Sequence, residues 1–218
     1  MLISKKFKYW STTSLIKTLF FNCKYGYLKN KQFIIYPKTK IFIHPSSYID
    51  LGKGHLVLNF SHIGKRFRSQ YCILWMDKGS RLELHNNNFK LCEGSSIYIR
   101  ENATLKLEGR GFINNGSEIN CYSHIEIGEG TIIAQNVTIC DSDSHTVYEN
   151  GIEREKTKPI KIGRNVWICR NTIILKGVEI GDNCIIAAGS IVTTNIPANS
   201  MAAGIPAKVL KQNINWIF

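Results

Sequence analysis

Between Ile139 and Ile160 the chain reads CDSDSHTVYENGIEREKTKP, the densest grouping of residues able to do chemistry. Asp141, Asp143 and His145 stand at alternate positions, with Cys140 directly before them. An imidazole titrates at about pH 6.5, so it can take a proton near neutrality, while a carboxylate beside it orients the ring or holds a second molecule. Cys140 opens a covalent route through a thiolate. The plainer reading is a solvated loop whose histidine only meets water. No metal centre is expected, because the loop has one histidine, His124 stands upstream of it, and no third partner accompanies them.

What must position this stretch is the pattern that it interrupts. From Ile127 to Pro197 an aliphatic residue returns every sixth position: Ile127, Ile133 and Ile139, then Ile162, Ile168, Ile174, Ile180, Ile186 and Val192. Four places after each lead stand Thr131, Val137, Val166, Thr172, Val178, Cys184, Ser190 and Ile196, small or β-branched residues, and only Asp143 departs. A period of six matches neither the helical 3.6 nor the alternation of a plain strand. It predicts short strands joined by tight turns at Gly, Asn and Asp, coiled so that lead aliphatics stack. Separate antiparallel strands seldom keep one spacing for so long. The polar stretch after Ile139 is too charged to stack and is expected to leave the scaffold as a loop, where a site is most easily built.

These repeats resemble those of the hexapeptide-repeat acyltransferases, and AAGIPAKVLKQ (Ala202 to Gln212) resembles the closing segment of the branch that acetylates sugars and antibiotics. The resemblance implies an all-β fold, a left-handed parallel β-helix with three hexapeptides per coil. It implies His145 as general base, with Asp141 or Asp143 orienting the imidazole or holding the acceptor. It also implies acetyl-CoA as acyl donor, lying in a groove between subunits of a homotrimer, and direct transfer without an acyl-enzyme. The match VWICRN places Trp167 beside the acetyl group and Arg170 at a backbone contact to the thioester arm, with Cys169 and Arg170 standing where relatives carry Gly and a small residue. IAAGS places Ala188 against the pantetheine, and GIPAK places Lys208 at a CoA phosphate. Thr193 and Thr194 stand at a further phosphate contact that is often a lysine.

The implied activity is O-acetylation of a sugar hydroxyl in bacterial surface polysaccharide synthesis. An N-acyltransferase acting on an amino sugar or antibiotic, and a catalytically silent β-helical scaffold, are the alternatives.

Charge is unevenly placed along the 218 residues. Residues 1–70 hold thirteen Lys or Arg against the single acid Asp50, and the remainder holds fifteen of each sign. Lys5, Lys6, Lys8, Lys17, Lys24, Lys29 and Lys31 alternate with aromatic and aliphatic residues, a composition suited to an anionic membrane surface or an acidic glycan. No nucleic-acid recognition motif accompanies it. The organisation expected is a basic aromatic cap over 1–40, with an amphipathic helix from Thr13 to Asn22. A β-helix follows over 41–200, with bulges near His62–Gln70 and Asn86–Lys90 and a loop at about 140–160, and a closing segment occupies 201–218. Seven cysteines without a CxxC pair read as reduced core residues, and the absence of a signal peptide or an apolar span predicts a cytoplasmic protein.

Overall fold

A β-branched lead residue followed three places later by Gly or Asn dictates a short strand and then a sharp corner. In the computed structural model, which describes residues 14–27, 30, 32–61, 70–85 and 87–217, the corners fall at those places. Gly130, Asn136, Asn165, Asn171, Gly177, Asn183 and Gly189 take φ between 53° and 76°, the left-handed region that only Gly and Asn enter readily. Each corner turns the chain onto the next face of a triangular prism, and three corners bring it back one layer lower. Ile127 therefore pairs with Ile162 and Ile162 with Ile180. Ile133, Ile168 and Ile186 form a second column, and Ile139, Ile174 and Val192 a third. The leads stack on the residue three hexapeptides away, not on the next lead in sequence.

Among the described residues the coils build a nine-stranded first face, a seven-stranded second face and a six-stranded third face. All pairings between coils are parallel, and the lead residues are no more than 1% exposed. The residues four places on are also buried. Thr131, Thr172 and Ser190 place their hydroxyls there by donating to the carbonyls of Gly163, Cys169 and Ala187 at 2.7–2.9 Å. At the corner between the third and first faces, Asn165 donates to Asn183 and Asn183 to Asn199, each at 3.0 Å.

The first coil starts at Phe33–Ile35, which pairs in register with Leu56–Leu58. The expected boundary near Ile41 is thus corrected toward the N-terminus; Pro37 and Lys38, with φ of 60°, break the period and hide this coil in the sequence. Helix α1 (Leu15–Lys24) runs past the expected Asn22 and covers the open end. Buried Asn22 donates to the Phe33 carbonyl at 2.9 Å and accepts from the Phe33 N–H at 3.0 Å, while Phe21, Tyr25 and Tyr27 set their rings within about 6 Å of the Phe33 ring. Of the basic segment, Lys5, Lys6, Lys8, Lys29 and Lys31 lie outside the described residues, as do the expected bulge over 62–69 and Asn86. At the other end Ser200–Gly204 extends the first face and Ala207–Gln212 returns antiparallel. No described helix is long and apolar enough to cross a membrane.

The loop leaves at the corner between the second and third faces. There Asp141 is fully buried, and its carboxylate accepts the backbone N–H groups of Tyr122 at 2.6 Å and of Ser123 and His124 at 2.8 Å. The Lys158 N–H donates to the Asp141 carbonyl at 3.0 Å, so the loop departs and returns at one point. Asp141→Ala is expected to cost about 3 kcal/mol by urea denaturation, because three amides lose a charged acceptor. At the third-to-first corner the Arg164 amide, 2.7 Å from Asp182, and then its guanidinium hold the Asp182 carboxyl below the ordinary carboxylate range. That stabilisation exists above the unfolded pKa and is lost as pH falls through the depressed folded value. Melting curves should find Asp182→Asn less stable than the parent at pH 7, with the gap closing as pH drops below about 4.

Candidate active site

The loop from 141 to 159 is braced rather than loose. Tyr148–Glu149 and Ile152–Glu153 form an antiparallel hairpin, tied by the Arg154 N–H to the Val147 carbonyl at 2.7 Å and by an Arg154–Glu149 ion pair. Lys176, one coil further on at the same corner, reaches up with its ammonium 2.5 Å from the Asp143 carboxylate. It also donates to the carbonyls of Glu155 and Lys156, and its side chain is only 18% exposed. Asp141 pins the start of the loop and Lys176 pins its two limbs. Nothing in the sequence separates Lys176 from a solvated surface lysine, because only the coil geometry brings it to Asp143.

His145 stands exposed on this braced stretch, and its ring makes no hydrogen bond among the described residues. Asp141 was expected to orient that ring or to hold an acceptor. The structure corrects this: every hydrogen bond of its carboxylate goes to backbone amides beneath the loop. Asp143 is turned to Lys176 and does not bond the imidazole either. Burial pushes the Cys140 thiol above its ordinary pKa, and its Sγ donates to the Ser142 carbonyl at 3.2 Å. It is a poor source of thiolate.

On the first face Trp167 lies between Ile132 and Ile185 of the adjoining coils and is 41% exposed. Its ring meets Trp216 at a centroid distance of 5.8 Å, and Trp216 is fixed by its indole N–H donating to the Asn165 carbonyl at 2.7 Å. Beside them opens a groove of about 570 Å³ lined by Arg110, Phe112, Ile132, Asn165 and Trp216. Trp216 was missed in the sequence, where it stands among Ile214, Ile217 and Phe218 with no spacing that sets it apart.

Arg170 and Ala188 turn the corner from the first to the second face in successive coils, joined by the Gly189 N–H donating to the Arg170 carbonyl at 3.0 Å. Both are exposed, and neither backbone N–H finds a partner among the described residues. These amides are free for a ligand that approaches the corner closely. Lys208 is exposed on the closing strand opposite Ala203. Thr193 and Thr194 stand elsewhere, at the corner from which the loop departs and one coil below Lys176, where the Leu175 N–H donates to the Val192 carbonyl. The second face thus separates His145, Thr193 and Thr194 from Trp167, Arg170 and Ala188 within one chain. Among the described residues no three His, Cys, Asp or Glu side chains converge as metal ligands would.

The family model for the bacterial transferase hexapeptide (six repeats) matches residues 159–194. The galactoside O-acetyltransferase of Escherichia coli K12 is 44% identical over 124 residues, covering 55% of each chain. The putative lipopolysaccharide biosynthesis O-acetyl transferase WbbJ of the same organism is 32% identical over 142 residues, covering 54% of this chain and 72% of the relative. Among solved structures, the polysialic acid O-acetyltransferase OatWY superposes with a TM-score of 0.60 at 22% identity, over 86% of this chain and 90% of that one. The chain spans about half the length of the galactoside enzyme, whereas it spans most of OatWY. The three-faced stack is accordingly a left-handed parallel β-helix. Repeat, closing hairpin and relatives agree, and the chain belongs to the hexapeptide-repeat acyltransferases, alongside those that O-acetylate sugars.

Proposed function

We propose that the protein is an acetyl-CoA-dependent O-acetyltransferase that modifies a sugar hydroxyl in the assembly of a surface polysaccharide. The observation that carries the reading is an exposed imidazole, free of side-chain partners, on a loop clamped from below by Asp141 and Lys176. Similarity to a galactoside O-acetyltransferase and to a putative lipopolysaccharide O-acetyl transferase supports an acetyl group moved to a hydroxyl acceptor.

His145 takes the proton of the acceptor hydroxyl as its oxygen attacks the thioester carbonyl. The tetrahedral oxyanion that forms is met by a backbone N–H of a corner, a donor already in place before charge develops. Collapse breaks the carbon–sulfur bond, and the thiolate leaves with the proton carried by the imidazolium. Trp167 flanks the acetyl group, the amides of Arg170 and Ala188 meet the thioester arm, and Lys208 meets a phosphate of CoA, while Thr193, across the second face, takes no part in the same chain's groove. Because His145 and Trp167 stand on opposite sides of the second face, the groove is completed by a neighbouring copy, as a homotrimer of prisms would provide. The setting is cytoplasmic, where acetyl-CoA is available, and the basic residues of the first seventy draw the protein to anionic membrane or acidic glycan.

His145→Ala should lower kcat about a hundredfold or more in a CoA-thiol release assay, with acetyl-CoA binding retained. The acetylated product should lose its acetyl group in mild alkali, as an ester does; an alkali-stable amide would replace this reading with N-transfer. Lys176→Met should lower kcat by about tenfold without changing the KM for acetyl-CoA, since the loop loses the clamp that aims the imidazole.

A further inference from the structure

Above Arg170 the corner between the first and second faces is hollowed into a polar trough of about 390 Å³. Its lining comes from successive coils: Arg170, then Gln135 and Asn136, then Asn115, then Glu93, and finally Gln70. With coils spaced as neighbouring strands are, the trough runs roughly 19 Å along the prism. Its volume lies in the range of small-molecule sites, roughly 300–1,000 Å³.

Glu93 is the informative member. It is 9% exposed, and its Oε2 is buried without a hydrogen-bond partner among the described residues. A buried carboxylate oxygen left so is costly, and such an atom persists where a ligand supplies the missing bond. The side chains of Gln70, Asn115 and Gln135 also make no hydrogen bond among the described residues, while Asn136 donates only to Asn171, at 3.3 Å. Side-chain amides both donate and accept, and a carboxylate accepts from two hydroxyls at once. This set matches a ring bearing several hydroxyl groups. It suits an anion poorly, since Glu93 offsets Arg170, the one cation among the described residues that line it.

We propose that this trough is the acceptor subsite and binds a neutral, hydroxyl-rich sugar, with Glu93 accepting from its hydroxyls. Naming the occupant as acceptor rests on the transferase reading above. The trough ends at Arg170, one hydrogen bond from Gly189 and next to Ala188, so a sugar within it brings a hydroxyl toward the thioester end of the groove.

The test is ligand-observed NMR titration of the full chain with lactose, maltotriose and a sialic acid trimer, for the parent, Glu93→Gln and Glu93→Leu. A neutral sugar should bind the parent in preference to the acidic trimer. Glu93→Leu should weaken that binding at least about tenfold, Glu93→Gln should keep most of it, and acetyl-CoA affinity should be the same in all three. The melting temperature of Glu93→Leu should be no lower than that of the parent, a result that a purely structural glutamate would not give. Neutral sugars that fail to bind, binding unchanged in Glu93→Leu, or preference for the acidic trimer would each overturn the proposal. Failure of acetyl-CoA to bind strikes the transferase reading alone, and sugar binding that depends on Glu93 would then leave the trough standing as a glycan site.

Discussion

Everything in this molecule depends on one backbone constraint, the left-handed residue three places after seven of the nine lead aliphatics. A strand of two residues has too few hydrogen bonds to hold its own direction, so the corner has to fix it. Glycine and asparagine accept that conformation at little cost, whereas a β-branched residue there would be strained. With direction fixed at these corners, aliphatic residues six apart in sequence fall on successive faces and stack by threes. The core then consists of three continuous columns, and each added coil inherits the register of the one before.

The departure at Cys140 is possible only because the same accounting of backbone groups is met another way. Where the next strand would have supplied carbonyl acceptors, the chain inserts a carboxylate that takes three amides at once. Charge buried at that point, satisfied by backbone dipoles, lets the polypeptide run outward for some twenty residues and return to the same corner. A rigid exit and the Lys176 clamp convert an excursion that would otherwise be loose into a platform for an imidazole.

The fold was largely legible in the residues because its period is short and strict. Both columns of the hexapeptide predicted buried positions from Ile127 to Val192, and they are buried. The wider upstream coils were blurred because Leu, Phe and Met replace Ile and fill a broader section, and the start at Phe33 was hidden by Pro37 and Lys38. The site was legible as a place and not as a set of contacts. A break in the repeat marks where chemistry can sit, but a spacing of two between Asp141 and Asp143 cannot say that one points under the loop and the other toward Lys176. Trp216 and Lys176 depend on stacking across coils, which local spacing does not encode. Family resemblance put names to Trp167, Arg170, Ala188 and Lys208, yet it could not reveal that these stand across the second face from His145 in a single chain.

A stack whose every layer templates the next has no internal reason to stop. Among the described residues, termination falls to two devices: the Asn22 side chain, which occupies the Phe33 backbone groups at one end, and the reversal of Ala207–Gln212 at the other. The reversal matters for its direction, because an antiparallel last strand presents a hydrogen-bonding pattern that a parallel coil of another molecule does not match. The hairpin therefore works as a polarity block. It closes the first face alone, since among the described residues the second and third faces end on the parallel strands Ile191–Val192 and Glu179–Ile180.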